Sequence, residues 1–168
     1  MNIQLRAWHL NDLENLVKYA NNPNIAQFMT DGFLHPYTEE KGRAFIEMAS
    51  QGEPTRIFAI EVEGKAVGSI GIYPQGDIQR KNAELGYWLA QEFWGKGIAT
   101  QAVKQITEIA FQILPIYRLF ARPFGTNIGS QRVLEKAGFV FEARIEKGFF
   151  KNGELIDELI YAIRREQP

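Results

Sequence analysis

The run from Ala83 to Phe111, AELGYWLAQEFWGKGIATQAVKQITEIAF, constrains this chain more than any other. Ala83, Leu85, Tyr87 and Leu89 alternate with Glu84, Gly86 and Trp88, the period-two pattern of a strand. Two glycines, Gly95 and Gly97, come next. Beyond them Ile98, Ala102, Val103, Ile106, Ile109 and Ala110 recur every three or four residues, as on the buried face of a helix. The first N–H groups of a helix have no carbonyl partner within it, and its aligned peptide dipoles leave partial positive charge at that end. Glycine carries no Cβ to keep an anion away from those groups. Gly95, Lys96, Gly97, Ile98, Ala99 and Thr100 can therefore cradle a diphosphate with main chain alone. The plainer alternative is that the two glycines only turn the chain into its helix.

The common nucleotide loops do not fit here. A phosphate loop of the GxxxxGK type, followed by Ser or Thr, has a different spacing and order. A dinucleotide fingerprint needs a third glycine where this chain has Thr100 and an acidic residue closing the next strand, but Tyr117–Arg122 reads YRLFAR.

The chain has 168 residues, enough for one domain with a real core, and no repeat, linker or low-complexity tract divides it, so residues 1–168 are expected to form a single domain. A net charge of −1 speaks against a nucleic-acid partner held by bulk electrostatics. The absence of cysteine excludes disulfides, zinc–thiolate sites and thiol nucleophiles. His9 and His35 stand far apart without metal-ligand spacing, so no metal site is expected. The opening MNIQLRAWHL lacks the apolar run of a signal peptide, and no stretch approaches the ~20 apolar residues of a membrane span. A cytoplasmic location is the expectation.

Read in order, Ile3–Ala7 alternates as a first strand, and Asn11 offers a cap, with Glu14 three residues on, for a helix carrying Leu13, Leu16, Val17 and Ala20. Asn21-Asn22-Pro23-Asn24 ends it. A loop rich in large side chains follows, and Thr38 caps a second helix closed by Gly52. Strands are predicted at Arg56–Val62 and Lys65–Tyr73, turning at Glu63-Gly64. After the strand, glycine turn and helix already described, Pro115 stops the helix and Tyr117–Arg122 forms another strand. Asn127 caps a helix from Ile128 to Ala137, and Phe139–Ile145 and Glu154–Ile163 close the chain, bridged across Asn152-Gly153. Hairpins mixed with crossovers predict a mixed α/β sheet with helices on both faces.

WGKGIAT resembles the acetyl-coenzyme A loop of the GNAT superfamily of N-acetyltransferases, (Gln/Arg)-x-x-Gly-x-(Gly/Ala), with Gly97 and Ala99 in its last two positions. Trp94 stands where that motif usually has Gln or Arg, which leaves the main-chain cradle as the part carried over. NIGSQRVLEKAGF (Asn127–Phe139), Leu34-His35-Pro36-Tyr37-Thr38 and KNGELIDELIYAI are similar to the branch that acetylates ribosomal-protein N-termini. The element order is the GNAT order over essentially the whole chain. The resemblance implies a mostly antiparallel sheet of about seven strands in which two parallel central strands splay apart, with acetyl-CoA as cosubstrate and an amine as acceptor. A monomer or a homodimer is compatible with it.

The resemblance also implies roles for single residues. Tyr87, Trp88 and Leu89 would offer backbone to the pantetheine arm, Gly95 to Thr100 would take the diphosphate, and Asn127 would touch the pantetheine as well as cap its helix. Lys96 either adds charge near a phosphate or is solvated on an exposed turn. Glu84, the one carboxylate within the central strand, is the candidate base, and its alternative is a solvated or ion-paired side chain. Ser130 matches the serine that donates to the leaving thiolate, and its alternative is a helix serine bonding to backbone. Tyr87 and Tyr117 rank below it as donors. Phe28, Phe33, His35, Tyr37 and Phe149 lie on predicted loops, where they either recognise the acceptor or serve as a core lid. Two readings compete with catalysis: a coenzyme-binding sensor and a ribosome-associated docking module.

Overall fold

The computed structural model describes residues 1–166. The elements run β1 (Ile3–Ala7), α1 (Leu13–Ala20), α2 (Pro23–Ala26), α3 (Glu39–Ala49), β2 (Ile57–Val62), β3 (Lys65–Pro74), β4 (Asn82–Leu89), α4 (Ile98–Ile113), β5 (Arg118–Ala121), α5 (Ile128–Lys136), β6 (Val140–Lys151) and β7 (Glu154–Arg164). The strands form one sheet in the order β1-β2-β3-β4-β5-β7-β6, antiparallel throughout except for the parallel pair β4 and β5. This is the mixed architecture expected from the sequence.

Helices cover both faces because the strands at the centre are apolar on both. On one face Leu16 of α1 and Ile46 of α3 are fully or almost fully buried, and on the other so are Ile98, Val103 and Ile106 of α4. Each such side chain contributes about 1.5–3 kcal/mol relative to exposure. The tight turns fall where the sequence placed them. Glu63-Gly64 and Asn152-Gly153 all have positive φ, as two-residue hairpin turns require.

The parallel pair is short, and the reason is local. β4 and β5 are in register only at Asn82–Arg118, Ala83–Leu119 and Glu84–Phe120. Beyond Ala121 the chain reaches Pro123, which has no N–H to continue the ladder. Its carbonyl accepts from Leu159 N–H at 3.0 Å, and Gly125 N–H donates to the Asp157 carbonyl at 2.8 Å. The chain after β5 therefore follows β7 and leaves β4, which continues to Leu89 paired with β3, opening a gap between β4 and β5.

Two expectations are corrected. Asn11 does not cap the first helix, because it lies inside a 3-10 turn, Leu10–Asp12, that precedes α1. His9, whose backbone is extended, caps that turn: its Nδ1 accepts from Asn11 N–H at 3.2 Å while its own N–H donates to Asp12 Oδ2 at 2.9 Å, and α1 itself starts after Asp12 with no side-chain cap. Phe149, expected on a loop beyond the strand that ends at Ile145, is instead part of β6, which runs to Lys151. An irregularity between Ile145 and Phe149 interrupts the alternation that would have revealed the longer strand.

Candidate active site

The gap between β4 and β5 is the middle of a single cavity of about 840 Å³ that begins at the N-terminus of α4. At that end Gly97 is the N-cap, with φ 78°, and no side chain bonds to the first-turn amides. Gln101 N–H makes the first bond inside the helix, to the Gly97 carbonyl at 3.1 Å, so the N–H groups of Ile98, Ala99 and Thr100 remain open. A Cβ on Gly95 or Gly97 would meet nothing within 4 Å. What these positions require of glycine is the left-handed backbone, and the space before the helix is open.

Strand register decides which main-chain groups face the gap. Ala90 N–H donates to Val67 at 2.8 Å and Gln75 N–H to Asn82 at 2.9 Å, at the two ends of the β3–β4 pairing. The even-numbered residues of β4 thus bond to β3, and Tyr87 and Leu89 turn their main chain toward the open side. Trp88, expected to offer backbone there, is instead paired with Ser69. The Trp94 indole donates to the Leu89 carbonyl at 2.8 Å, so the residue that replaces the motif's Gln or Arg closes the upper end of the strand.

On the α4–α5 side of the gap, Tyr87 and Ser130 meet, their hydroxyl oxygens 2.7 Å apart. Asn127 holds Ser130 in place by accepting its N–H at 3.2 Å, as the cap of α5. Burial pushes the Tyr87 hydroxyl up to about 12, against a smaller opposing effect of its bond to Ser130. The pair consequently stays protonated in the physiological range. It holds two hydroxyl protons and uses one between its members, leaving the other for a group in the cavity.

On the opposite side of the sheet lies Glu84, partly exposed. Its Oε2 accepts from Arg122 Nε at 3.2 Å, and Arg122 NH1 lies 3.7 Å from Oε1 of the buried Glu158. Nearby, Phe28, Phe124 and Phe149 form an aromatic wall, with ring centroids 6.2 Å apart for Phe28–Phe124 and 4.9 Å for Phe124–Phe149. Lys151 and Asp31 pair at 3.2 Å across the mouth.

Residues 2–140 match the family described as the acetyltransferase (GNAT) domain. The chain belongs to the GNAT acetyltransferase family. It is 25% identical to the spermidine N(1)-acetyltransferase of Escherichia coli strain K12 over 98% of this chain and 87% of that one. It is 33% identical to the putative ribosomal N-acetyltransferase YdaF of Bacillus subtilis strain 168, over 62% of this chain and 57% of that one. The latter agrees with the branch expected from the Asn127–Phe139 motif. Among solved structures, the microcin C7 self-immunity acetyltransferase MccE, in complex with acetyl-CoA and AMP, superposes with a TM-score of 0.84 at 25% identity, covering 97% of this chain and 92% of that one.

The GNAT cavity gathers most of the residues singled out in the sequence. Glu84, Tyr87, Trp88, Leu89, Gly95, Gly97, Ile98, Ala99, Thr100, Asn127, Ser130, Phe28 and Phe149 all line it. Four do not. Lys96 is exposed and stacks over the Phe93 ring at 5.4 Å. Phe33 packs edge-on against Trp88 at 5.9 Å and against Tyr37 at 5.4 Å, and Tyr37 is buried in the core, so these two are lid rather than wall. His35 faces solvent. Tyr117 is also exposed on the outer surface. Sequence reading passed over Arg122, Phe124 and Glu158. Arg122 and Phe124 follow the strand YRLFA directly, and a Pro between them was the available signal that the chain leaves the ladder there.

Proposed function

We propose that this GNAT protein passes an acetyl group from acetyl-coenzyme A directly to a primary amine, a protein N-terminal α-amine or a small-molecule amine, within a ternary complex. The observation that carries the reading is continuity: uncapped amides at the head of α4 open into a gap that ends between the Tyr87–Ser130 pair and Glu84. Bound acetyl-coenzyme A supplies an acetyl carbon activated as a thioester. The amides of Ile98, Ala99 and Thr100 hold its diphosphate, and the exposed main chain of Tyr87 pairs with its amide arm as a neighbouring strand would.

The acceptor approaches from the Glu84 side. A free α-amino group with a pKa of ~7.7–8.0 is partly neutral near pH 7, whereas a lysine-like amine at ~10.4 is almost wholly charged. Glu84 relieves the nitrogen of its proton, directly or through water, as the N–C bond forms. The C–S bond breaks in the same exchange, and the sulfur takes its proton from the Tyr87–Ser130 pair. The Phe28–Phe124–Phe149 wall suits a peptide or an amine with an apolar body.

Steady-state release of thiol from acetyl-coenzyme A, measured across a panel of N-terminal peptides and amines, tests the assignment. Turnover with at least one class is expected. Tight coenzyme binding without turnover on any of them would instead mark a sensor. Ser130→Ala should lower kcat about tenfold and leave coenzyme affinity nearly unchanged, because the residue acts on the leaving sulfur; an unaltered kcat would take Ser130 out of the mechanism.

A further inference from the structure

Arg122 stands between two carboxylates, and the two contacts differ. Toward Glu84 it presents a single Nε–H at 3.2 Å, not the two-pronged fork that a guanidinium ordinarily offers a carboxylate. Toward Glu158 its NH1 lies at 3.7 Å. The Glu158 side chain is 90% removed from solvent (10% exposed), and among the described residues it has no other side-chain hydrogen bond or ion pair. A charged carboxylate buried this deeply is costly unless paired, so Arg122, the one cation within 4.0 Å of it among the described residues, is drawn toward it. The backbone enforces this arrangement. Phe124 forms a bridge with Glu158, and Leu159 N–H donates to the Pro123 carbonyl at 3.0 Å, which ties the segment carrying Arg122 to β7.

We infer that Glu158 is a positioning residue: by competing for Arg122 it keeps the guanidinium from clamping Glu84 with both prongs, and so leaves one Glu84 oxygen free to face the acceptor amine. This rests on the reading of Glu84 as the base. The other groups facing Glu84 do not substitute for Glu158. Tyr73, opposite it on β3, is held above its ordinary range by burial and, secondarily, by the Glu84 charge, and stays neutral; Asp31 and Lys151, at the mouth, satisfy each other. Without Glu158, Arg122 has Glu84 as its sole partner. The fork closes, the charged form of Glu84 is favoured, and the base becomes both weaker and hidden.

The test is a cycle of Glu158→Gln, Arg122→Gln and the double variant, reading the acidic limb of kcat/KM against pH with an acceptor that the wild-type protein turns over. Glu158→Gln is close to isosteric, and thermal melts of all variants report folding separately. Removing the negative charge should move the limb down by about half a pH unit and lower the plateau several-fold. Arg122→Gln should move it up, and the double variant should return the limb close to its wild-type position. A purely structural Glu158 would change the melt without moving the limb. A limb unmoved in Glu158→Gln, in a protein where Glu84→Gln shifts it up to the acceptor's own pKa, overturns the inference and leaves Glu84 as the base; a limb that Glu84→Gln leaves in its wild-type position overturns both.

Discussion

Glu84→Gln is expected to lower kcat/KM about 100-fold near neutral pH, with the deficit narrowing as the pH rises through the acceptor's own pKa. The physical reason is the supply of neutral amine. Below its pKa the acceptor arrives as an ammonium and needs a carboxylate to receive its proton; above it the nucleophile is already formed. Gln keeps the shape of Glu and its place opposite Tyr73 on the next strand, so the sheet has no cause to rearrange. The measurement is a pair of pH–rate profiles on the same acceptor. Parallel profiles of equal height would remove Glu84 from the chemistry, and a uniform drop at every pH would make it a binding residue.

The second large effect belongs to the glycine turn. Gly97→Val should weaken acetyl-coenzyme A binding by about 100-fold, since several charge-assisted bonds from main-chain N–H groups are worth that much together. Gly97 has φ 78°, where a β-branched residue is strained, and its Cβ would project into the open space before α4. Strain alone would also destabilise the protein, so a matched control is needed. Gly52 has φ 91°, likewise has nothing within 4 Å of an added Cβ, and lies beyond the end of α3 away from the cavity. Gly52→Val should therefore share the loss of stability and keep the affinity. Calorimetric titration of both proteins separates the two contributions; equal affinities would mean that the turn does not hold the phosphates.

The parts of the site that depend on local periodicity were legible in the sequence. The helix from Ile98 announces itself by its apolar spacing, its start is marked by two glycines, and Asn127 is a cap whichever fold surrounds it. The parts that depend on where the chain goes after a strand were not. Arg122 is 38 residues from Glu84 in sequence and meets it only because Pro123 lets the chain peel away toward β7. Glu158 reads as one more polar position in an alternating strand, and only the sheet order, with β7 beside β5, puts it beneath Arg122. The aromatic loop misled in a different way. Phe28 and Tyr37 carry the same signal, large rings in a segment without periodicity, yet one reaches Phe124 at the cavity and the other is buried under Phe33. Sequence composition cannot separate wall from lid when both are aromatic. The β6 extension was missed because an irregularity at Glu146–Gly148 breaks the period, and Lys147, with φ 53°, reads locally as a turn.

The central claim is that backbone N–H groups at the head of α4 hold the coenzyme and aim its sulfur into the opening between β4 and β5. Backbone amide shifts followed by NMR during titration with acetyl-coenzyme A test it most directly, residue by residue. The account predicts large, saturable shifts at Ile98, Ala99 and Thr100, with a second group at Tyr87 and Leu89, and it predicts that ADP reproduces the first group without the second. Saturable binding that leaves the amides of Ile98 to Thr100 unmoved would contradict it.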